Sequence, residues 1–233
     1  MKFKFLKTTF TVLVLSTSCL TNVASAGAIE WSDDFEGPRS SELTGWDLEA
    51  MGSGSDGSFS DYGFSGTNWL RSSGRSSTAT LTLTGLAAHT AINLDFLFAI
   101  MDSYDPNDYF RVSVDNRLVF NAPMTSWRGQ APTYGTELVS KRQLAGTNGQ
   151  EWSKDSAFDL GTLASIQNIS HTASTVKIDF LAQMDEGKTN ESFAIDDLSV
   201  SLVGSAAVPE PSTLAIFALG LMGLASRRFK KQA

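Results

Sequence analysis

Residues 91–98 read Ala-Ile-Asn-Leu-Asp-Phe-Leu-Phe, and this stretch decides the fold class. Ile92, Leu94, Phe96 and Phe98 recur at every second position, so they share one face of an extended chain. Alternation of this kind is typical of a β-strand that buries one face. We therefore expect a domain built from strands whose apolar faces cover a common core.

The same period of two recurs in short runs along the rest of the chain, and turn residues separate the runs. Residues 110–115 lead through Asn116-Arg117 into 118–120, which predicts a hairpin. Further runs lie at residues 80–83, 176–180 and 194–202. Several short strands at this spacing predict an all-β fold, an antiparallel jelly-roll β-sandwich over residues 27–205. An N-terminal signal helix and a short C-terminal hydrophobic helix are expected to flank it.

Residues 1–26 have the three parts of a secretory signal peptide. Lys2, Lys4 and Lys7 make the start cationic, residues 10–15 are mostly apolar, and Ala24-Ser25-Ala26 is an A-x-A cleavage site. The alternatives are a buried N-terminal helix and a lipoprotein site at Cys19. We expect export through the Sec translocon and a mature chain that starts at Gly27.

Three ordered features occupy residues 206–233. Val208-Pro209-Glu210-Pro211 comes first, a hydrophobic helix is expected over 212–226, and a basic tail that begins with Arg227-Arg228 covers 227–231. The prolines keep the first part extended. The apolar run is short for a membrane span, which needs about 20 residues, and the basic residues would stay on the cytoplasmic side. These features predict a segment that is inserted transiently into the membrane.

This arrangement resembles the PEP-CTERM sorting signal, in which a Pro-Glu-Pro motif, a hydrophobic stretch and a basic end follow one another. The resemblance implies that an exosortase recognises and processes the tail at the inner membrane. It also implies that the protein is released to the cell surface or secreted. The alternative is an ordinary single-pass anchor after a proline-rich linker.

Composition narrows what the domain between these ends can do. Residues 27–207 contain 11 Lys and Arg against 24 Asp and Glu, a formal charge of −13. This balance argues against nucleic acid as a partner, because phosphates require a basic face. The single cysteine, Cys19, lies in the signal peptide, so disulfides and thiolate metal sites are excluded from the mature domain.

Two segments at the ends of the domain carry a second resemblance. Asp34-Phe35-Glu36-Gly37 and the closing stretch 193–198 are similar to the first and last strands of MAM-type and related lectin-like jelly rolls. The resemblance implies a sandwich in which the opening acids and the closing Asp pair meet and can hold a calcium ion. The sequence departs from true MAM domains because it lacks their cysteines.

Acidic residues concentrate at the ends of the predicted strands, where loops converge. Calcium takes six to eight oxygen ligands, which converging loops can supply. We therefore expect one structural calcium near Glu36 and Asp196, with Asp34 and Asp102 as further candidate ligands. The alternatives are a solvated acidic surface and Asp residues that serve turns.

The aromatic residues suggest a binding function. Trp31 and Trp46 are interpreted as core residues, whereas Trp127 and Trp152 flank a segment, 124–152, that lacks clear periodicity and is expected to form a long excursion. Exposed rings of this type can stack on sugars, and long loops often carry binding sites. We expect Trp127 and Trp152 to bind extracellular polysaccharide.

Catalysis has little support in the sequence. There are two histidines and no Gly-x-Ser-x-Gly motif, so we expect a non-enzymatic protein. The alternatives are a structural matrix protein without a specific ligand and, less favoured, a glycoside-active enzyme with two facing carboxylates.

Overall fold

A computed structural model describes residues 28–102, 104, 107–123, 134–144 and 154–204. The expected signal peptide, the sorting tail, Trp127 and Trp152 lie outside these residues. Among the described residues, no helix is long and apolar enough to cross a membrane. Within these described ranges, the regular structure consists of strands and two short 3-10 helices, Phe59–Tyr62 and Ala164–Ile166.

Fifteen strands follow one another along the described chain, and every pairing between them is antiparallel. Their bounds are β1 Ala28–Asp33, β2 Leu43–Thr44, β3 Asp47–Ala50, β4 Ser53–Gly54, β5 Gly57–Ser58, β6 Asn68–Arg71, β7 Ser77–Thr84, β8 Ala91–Asp102, β9 Tyr109–Val114, β10 Arg117–Pro123, β11 Thr136–Arg142, β12 Asp155–Asp159, β13 Ile169–Ser170, β14 Thr175–Gln183 and β15 Glu191–Val203.

Two sheets pack face to face and confirm the predicted sandwich. The larger sheet has eight strands in the order β11-β12-β8-β15-β6-β3, with β1 added on β15 and β13 added on β8. The smaller sheet has five strands in the order β10-β9-β14-β7-β2. A separate hairpin joins β4 to β5. The long strands β8 and β15 pair from Glu191↔Asp102 to Val203↔Ala91 and form the centre of the larger sheet.

The main core lies between the sheets, and aromatic rings fill it. The alternating residues that identified β8, from Ile92 to Phe98, all point into this core and are at most 1 % exposed. Trp46 is fully buried there and Trp31 packs against it half-buried, as expected. The centroids of five rings lie 4.3–6.3 Å from that of Phe110, namely those of Phe98, Phe193, Phe120, Trp46 and Phe96.

A second, smaller apolar layer covers part of the outer face of the larger sheet. Phe59, Phe64 and Trp69 pack edge to face there, with centroids 5.0–6.1 Å apart, over Ala99 and Ala194. The hairpin β4–β5 is held beside this layer by two hydrogen bonds, in which the backbone N–H of Asp56 donates to the carbonyl oxygen of Gln143 and the backbone N–H of Gln143 donates to Asp56 Oδ2. The last part of β8, from Phe98 to Asp102, is therefore buried on both faces, in agreement with the apolar run that extends to residue 101.

The predicted hairpin is present, but its turn lies one residue earlier than the sequence suggested. Asp115 and Asn116 occupy the turn with φ of 49° and 65°, and β10 begins at Arg117. Positive φ at both central residues is what a two-residue type I′ turn requires, and Asn and Asp tolerate it.

The segment 124–152 is not a continuous excursion, because β11 lies within it and pairs with β12 at the edge of the larger sheet. In this strand only Val139 is buried. An edge strand that buries a single side chain has no apolar alternation, which explains why the sequence pattern did not reveal it.

Candidate functional site

Asp196 lies at an irregularity in the middle of β15. The pairing with β8 shifts between Asp196 and Ser199, and Asp197 takes a φ of 47°, so β15 carries a β-bulge at this point. Asp196 is fully buried, and its two carboxylate oxygens accept hydrogen bonds from the backbone N–H groups of Ser65 and Asp197, both at 2.9 Å. The bulge thus places two consecutive carboxylates at one spot.

Glu36 reaches the same spot from the chain that follows β1. Its Oε1 accepts the backbone N–H groups of Thr67 at 2.8 Å and Asn68 at 2.6 Å, and these hydrogen bonds lower the pKa of the carboxyl. Gly66 has a φ of 61°, and a Cβ there would lie 2.1 Å from the Glu36 carboxyl carbon. The loop before β6 therefore needs glycine at this position to wrap around the carboxylate.

Among the residues that the structure describes, no basic side chain forms an ion pair with Glu36, Asp196 or Asp197. Burial raises the pKa of Asp196 to about 7, and the neighbouring carboxylates of Asp197 and Glu36 add to the effect. Burial and, to a smaller extent, Asp34 also raise the pKa of Asp33. A cavity of about 350 Å³ opens beside the bulge, lined by Ser32, Asp33, Asp34, Gly37, Asp197 and Leu198. A cation could be held here.

The structure brings three of the four predicted calcium ligands to one region and separates the fourth. Glu36 and Asp196 interact, and Asp34 lines the adjoining cavity. Asp102 lies at the far end of β8, whereas Asp196 pairs with Leu97 in its middle. Because sequence alone does not reveal strand register, it could not show that Asp102 lies apart from Asp34 and Asp196.

A second group of carboxylates lies at the end of the sandwich to which Asp102 belongs. Asp108 precedes β9, Asp185 follows β14, and Glu191 begins β15. One carboxylate oxygen of each lies within 4.8 Å of the other two. Asp108 and Glu191 are each 1 % exposed, while Asp185 is exposed. Sequence alone could not group these three residues, because they adjoin strands that meet only in the folded chain.

Burial dominates the electrostatics of this second group. Burial, together with the negative charges of Asp108, Glu186 and Asp185 and a side-chain hydrogen bond with Asp108, raises the pKa of Glu191 to about 8. The neighbouring Tyr104 is fully buried, and burial together with Glu191 raises the pKa of its hydroxyl.

The two histidines, His89 and His171, contact each other. His89 Nδ1 lies 2.6 Å from the carbonyl oxygen of Ala87, and His171 Nε2 lies 3.1 Å from Asp115 Oδ2. The two remaining ring nitrogens, His89 Nε2 and His171 Nδ1, face each other at 2.6 Å, and the two rings stack. The pair thus connects the segment before β8 with the hairpin turn at Asp115.

In the part of the chain that the structure describes, the outer face of the five-stranded sheet is polar and is not covered by another strand. The inward residues of β7, β9 and β14 fill the core, whereas their outward residues are exposed or half-buried. On β14, Asp179 accepts hydrogen bonds from Thr80 Oγ1 at 2.7 Å and from Lys177 Nζ at 2.6 Å. Threonines at 78, 80, 82 and 84 extend the face along β7.

An aromatic ring lies on the same face. Tyr109 on β9 is half-buried, and the guanidinium of Arg111 lies 5.1 Å from the centroid of its ring. Arg111 Nε also donates a hydrogen bond to Asn121 Oδ1 at 2.8 Å. Gln183 on β14 is the register partner of Tyr109, so an amide and a phenol lie side by side. Donors, acceptors and a ring therefore share one flat surface.

Comparison with known proteins adds a motif and several distant folds. Residues 207–231 match the PEP-CTERM protein-sorting motif. No curated protein matches the chain. A xylan-binding CBM22-1 domain of Paenibacillus barcinonensis Xyn10C shares 13% identity, with 78% of this chain and 99% of that chain covered and a TM-score of 0.37.

Two further solved structures have similar scores. The C-terminal family 22 carbohydrate-binding module of Clostridium thermocellum Xyn10B is 12% identical over 78% of this chain and 98% of that chain, with a TM-score of 0.34. The Agl-KA catalytic domain is 16% identical over 74% of this chain and 29% of that chain, with a TM-score of 0.29. The chain therefore combines a PEP-CTERM protein-sorting motif with an antiparallel β-sandwich domain.

Proposed function

We propose that the protein is exported through the Sec translocon, processed by an exosortase, and delivered to the cell surface or extracellular matrix, where its sandwich binds polysaccharide without catalysis. The sorting motif at residues 207–231 supports the route. The open polar face of the five-stranded sheet supports the binding, and it is the observation that carries the proposal.

This face suits a sugar polymer for a physical reason. Polysaccharides present rows of hydroxyls and apolar ring faces, so a complementary surface needs side-chain donors and acceptors together with an aromatic ring. Asp179, Lys177 and Thr80 supply the polar groups in a connected row, and Tyr109 supplies the ring. The formal charge of −13 over residues 27–207 favours neutral or cation-bridged polymers over strongly anionic ones.

Retention of the purified exported protein on a glycan array and on matrix polysaccharide from its own host tests the binding. Tyr109→Ala and Asp179→Asn are expected to weaken binding by roughly fivefold or more, the effect of losing a contact worth about 1 kcal/mol. Glu137→Gln is the matched control, because Glu137 is exposed on β11 of the other sheet.

Three outcomes of this assay would contradict polysaccharide binding at this face or catalytic inactivity. If no polysaccharide retains the wild-type protein, the binding proposal is wrong and a structural matrix role takes its place. Equal binding by the wild type and both variants would move the site away from this face. In that case Trp127→Ala and Trp152→Ala, at the two positions predicted from the sequence, identify the alternative site in the same assay. Consumption of a polysaccharide by the wild type would show an enzyme.

The processing step has a separate test. Exosortase cleavage within the tail should leave a mature protein that ends before Arg227, because the hydrophobic and basic parts of the motif are removed with it. The intact mass of the protein recovered from the cell surface or the medium measures this. A mature C-terminus beyond Arg227 would contradict transient anchoring.

A structural calcium ion at Glu36 and Asp196 is the second part of the proposal. The carboxylates of Glu36, Asp196 and Asp197 converge at the bulge, with Asp34 in the adjoining cavity, and hard oxygen ligands of this kind suit calcium. The ion would tie the segment after β1 to β15 and offset the repulsion among the acids. Calcium is expected to raise the melting temperature of the wild type, and Glu36→Gln should remove most of that gain.

A further inference from the structure

We propose that Asp108, Asp185 and Glu191 form a second calcium site, distinct from the one at Glu36 and Asp196. This second site would join the two sheets where β8 ends and β15 begins. Neither the sorting motif nor polysaccharide binding is needed for this inference. It follows from the placement of three carboxylates and from the surroundings of the most deeply buried one.

The first observation is geometric. Calcium binds oxygens at about 2.3–2.6 Å, so two oxygens on one ion can lie up to about 5 Å apart. One oxygen from each of the three carboxylates lies within 4.8 Å of the other two. A single calcium ion placed among them can therefore contact all three. The chemistry of the donors agrees, because a set made only of carboxylates selects hard cations rather than zinc or copper.

The second observation concerns Glu191. Its side chain is 1 % exposed and shares a side-chain hydrogen bond with Asp108, but its Oε2 has no hydrogen-bond partner among the residues that the structure describes. A buried carboxylate oxygen without a partner costs free energy because it has lost its water and gained nothing in return. This oxygen belongs to the carboxylate that faces Asp108 and Asp185, so a cation held among the three carboxylates would supply the partner that the oxygen lacks.

Two basic side chains that the structure describes near the start of β15 pair with other acids. Lys188, in the loop between β14 and β15, is paired with Asp47 at 3.5 Å and with Glu49. Arg71 also pairs with Glu49, at 3.5 Å, and donates to the carbonyl oxygen of Lys188 and to Ser192 Oγ.

The position of the site indicates what the ion does. Asp108 and Asp185 adjoin β9 and β14 of the five-stranded sheet, and Glu191 is the first residue of β15 in the eight-stranded sheet. An ion held by all three would cross-link the two sheets where the chain passes from one to the other. Because Asp185 is exposed, the remaining coordination positions open to solvent and can be filled by water.

Isothermal titration calorimetry, in which calcium is added to the exported protein, tests the proposal. Two variants remove ligands: Glu191→Gln keeps the buried shape, and Asp185→Asn changes only an exposed side chain. Each variant is expected to lower the calcium affinity of this site by on the order of tenfold or more, since the affinity depends on the number of charged ligands. Glu137→Gln, on β11, is the control and should bind as the wild type does.

Glu36→Gln separates this site from the other one. Calcium binding that persists in Glu36→Gln and is lost when Glu191→Gln is added supports the second site, whether or not the first binds calcium. The proposal is overturned if Glu36→Gln alone abolishes all calcium binding, or if Glu191→Gln and Asp185→Asn both bind like the wild type. Asp185→Asn keeps the test decisive if the buried substitution disturbs folding.

Discussion

Raising the pH should destabilise the calcium-free protein in a range where many proteins are most stable. The group responsible is Asp196, which is fully buried and faces the carboxylates of Asp197 and Glu36. Burial raises its pKa from 3.8 to about 7. Between these two values the folded protein holds a proton that the unfolded chain has released, so stability falls as the pH rises.

The size of this decrease in the free energy of unfolding follows from the pKa shift of Asp196. One unit of pKa difference corresponds to about 1.4 kcal/mol, so complete ionisation of Asp196 costs the folded state about 4 kcal/mol. Roughly half of that cost, about 2 kcal/mol, accrues between about pH 5.5 and about pH 8. Glu191, whose pKa burial raises to about 8, acts in the same direction. The pKa of Glu36 is lowered, so its titration is already complete below this range.

Urea unfolding in the presence of a chelator, at several pH values across this range, measures the effect. The free energy of unfolding should decrease with pH, and Glu191→Gln should show a shallower decrease because it removes one of the two groups. Glu137→Gln should keep the slope of the wild type. A free energy of unfolding that is constant or rises from about pH 5.5 to about pH 8 would refute the reasoning, since the linkage relation fixes the sign.

The remaining predictions concern the sandwich itself. Phe110→Ala should lower the free energy of unfolding by about 3–5 kcal/mol in urea titrations because it empties the centre of the aromatic core, whereas Leu118→Ala, at a side chain 53 % exposed, should change it by less than about 0.5 kcal/mol. Gly45→Ala should cost more than about 1 kcal/mol in the same assay, because the backbone has a φ of 94° and the new Cβ would lie 2.0 Å from a carbonyl oxygen, while Gly37→Ala meets nothing within 4 Å and serves as its control. His171→Ala should cost about 1–3 kcal/mol because it leaves a buried imidazole nitrogen and a carboxylate without their partner. Wild-type stability in any of the three damaging variants would contradict the corresponding packing argument.

Much of the sandwich could be predicted from the chain because burial of one strand face produces a pattern in the sequence. The alternation at residues 92–98 identified β8 and its core face, and the turn predicted at residues 116–117 located the hairpin to within one residue. The short edge strand β11 left no such pattern, since it buries only Val139. The outer apolar layer of Phe59, Phe64 and Trp69 was also missed, because its residues lie in a turn-rich segment without a period.

The candidate sites, like the fold, could be predicted from the sequence only in part. Sequence identified the acids at both ends of the domain and brought Glu36 and Asp196 together through a resemblance. It could not show that Asp102 lies far from them, or that Glu191 meets Asp108 and Asp185, because those facts depend on register and on the crossing between sheets.

By itself, then, the sequence determined the class of the fold, the sorting motif and the acidic, cysteine-free character of the domain, since composition, strand periodicity and short motifs are local properties. Only the tertiary structure decided which carboxylates share a site and which face of the sheets remains open. The physical reason is that strands far apart in the chain pair at a register set by the whole core, and a shift of one residue would turn every side chain to the other face.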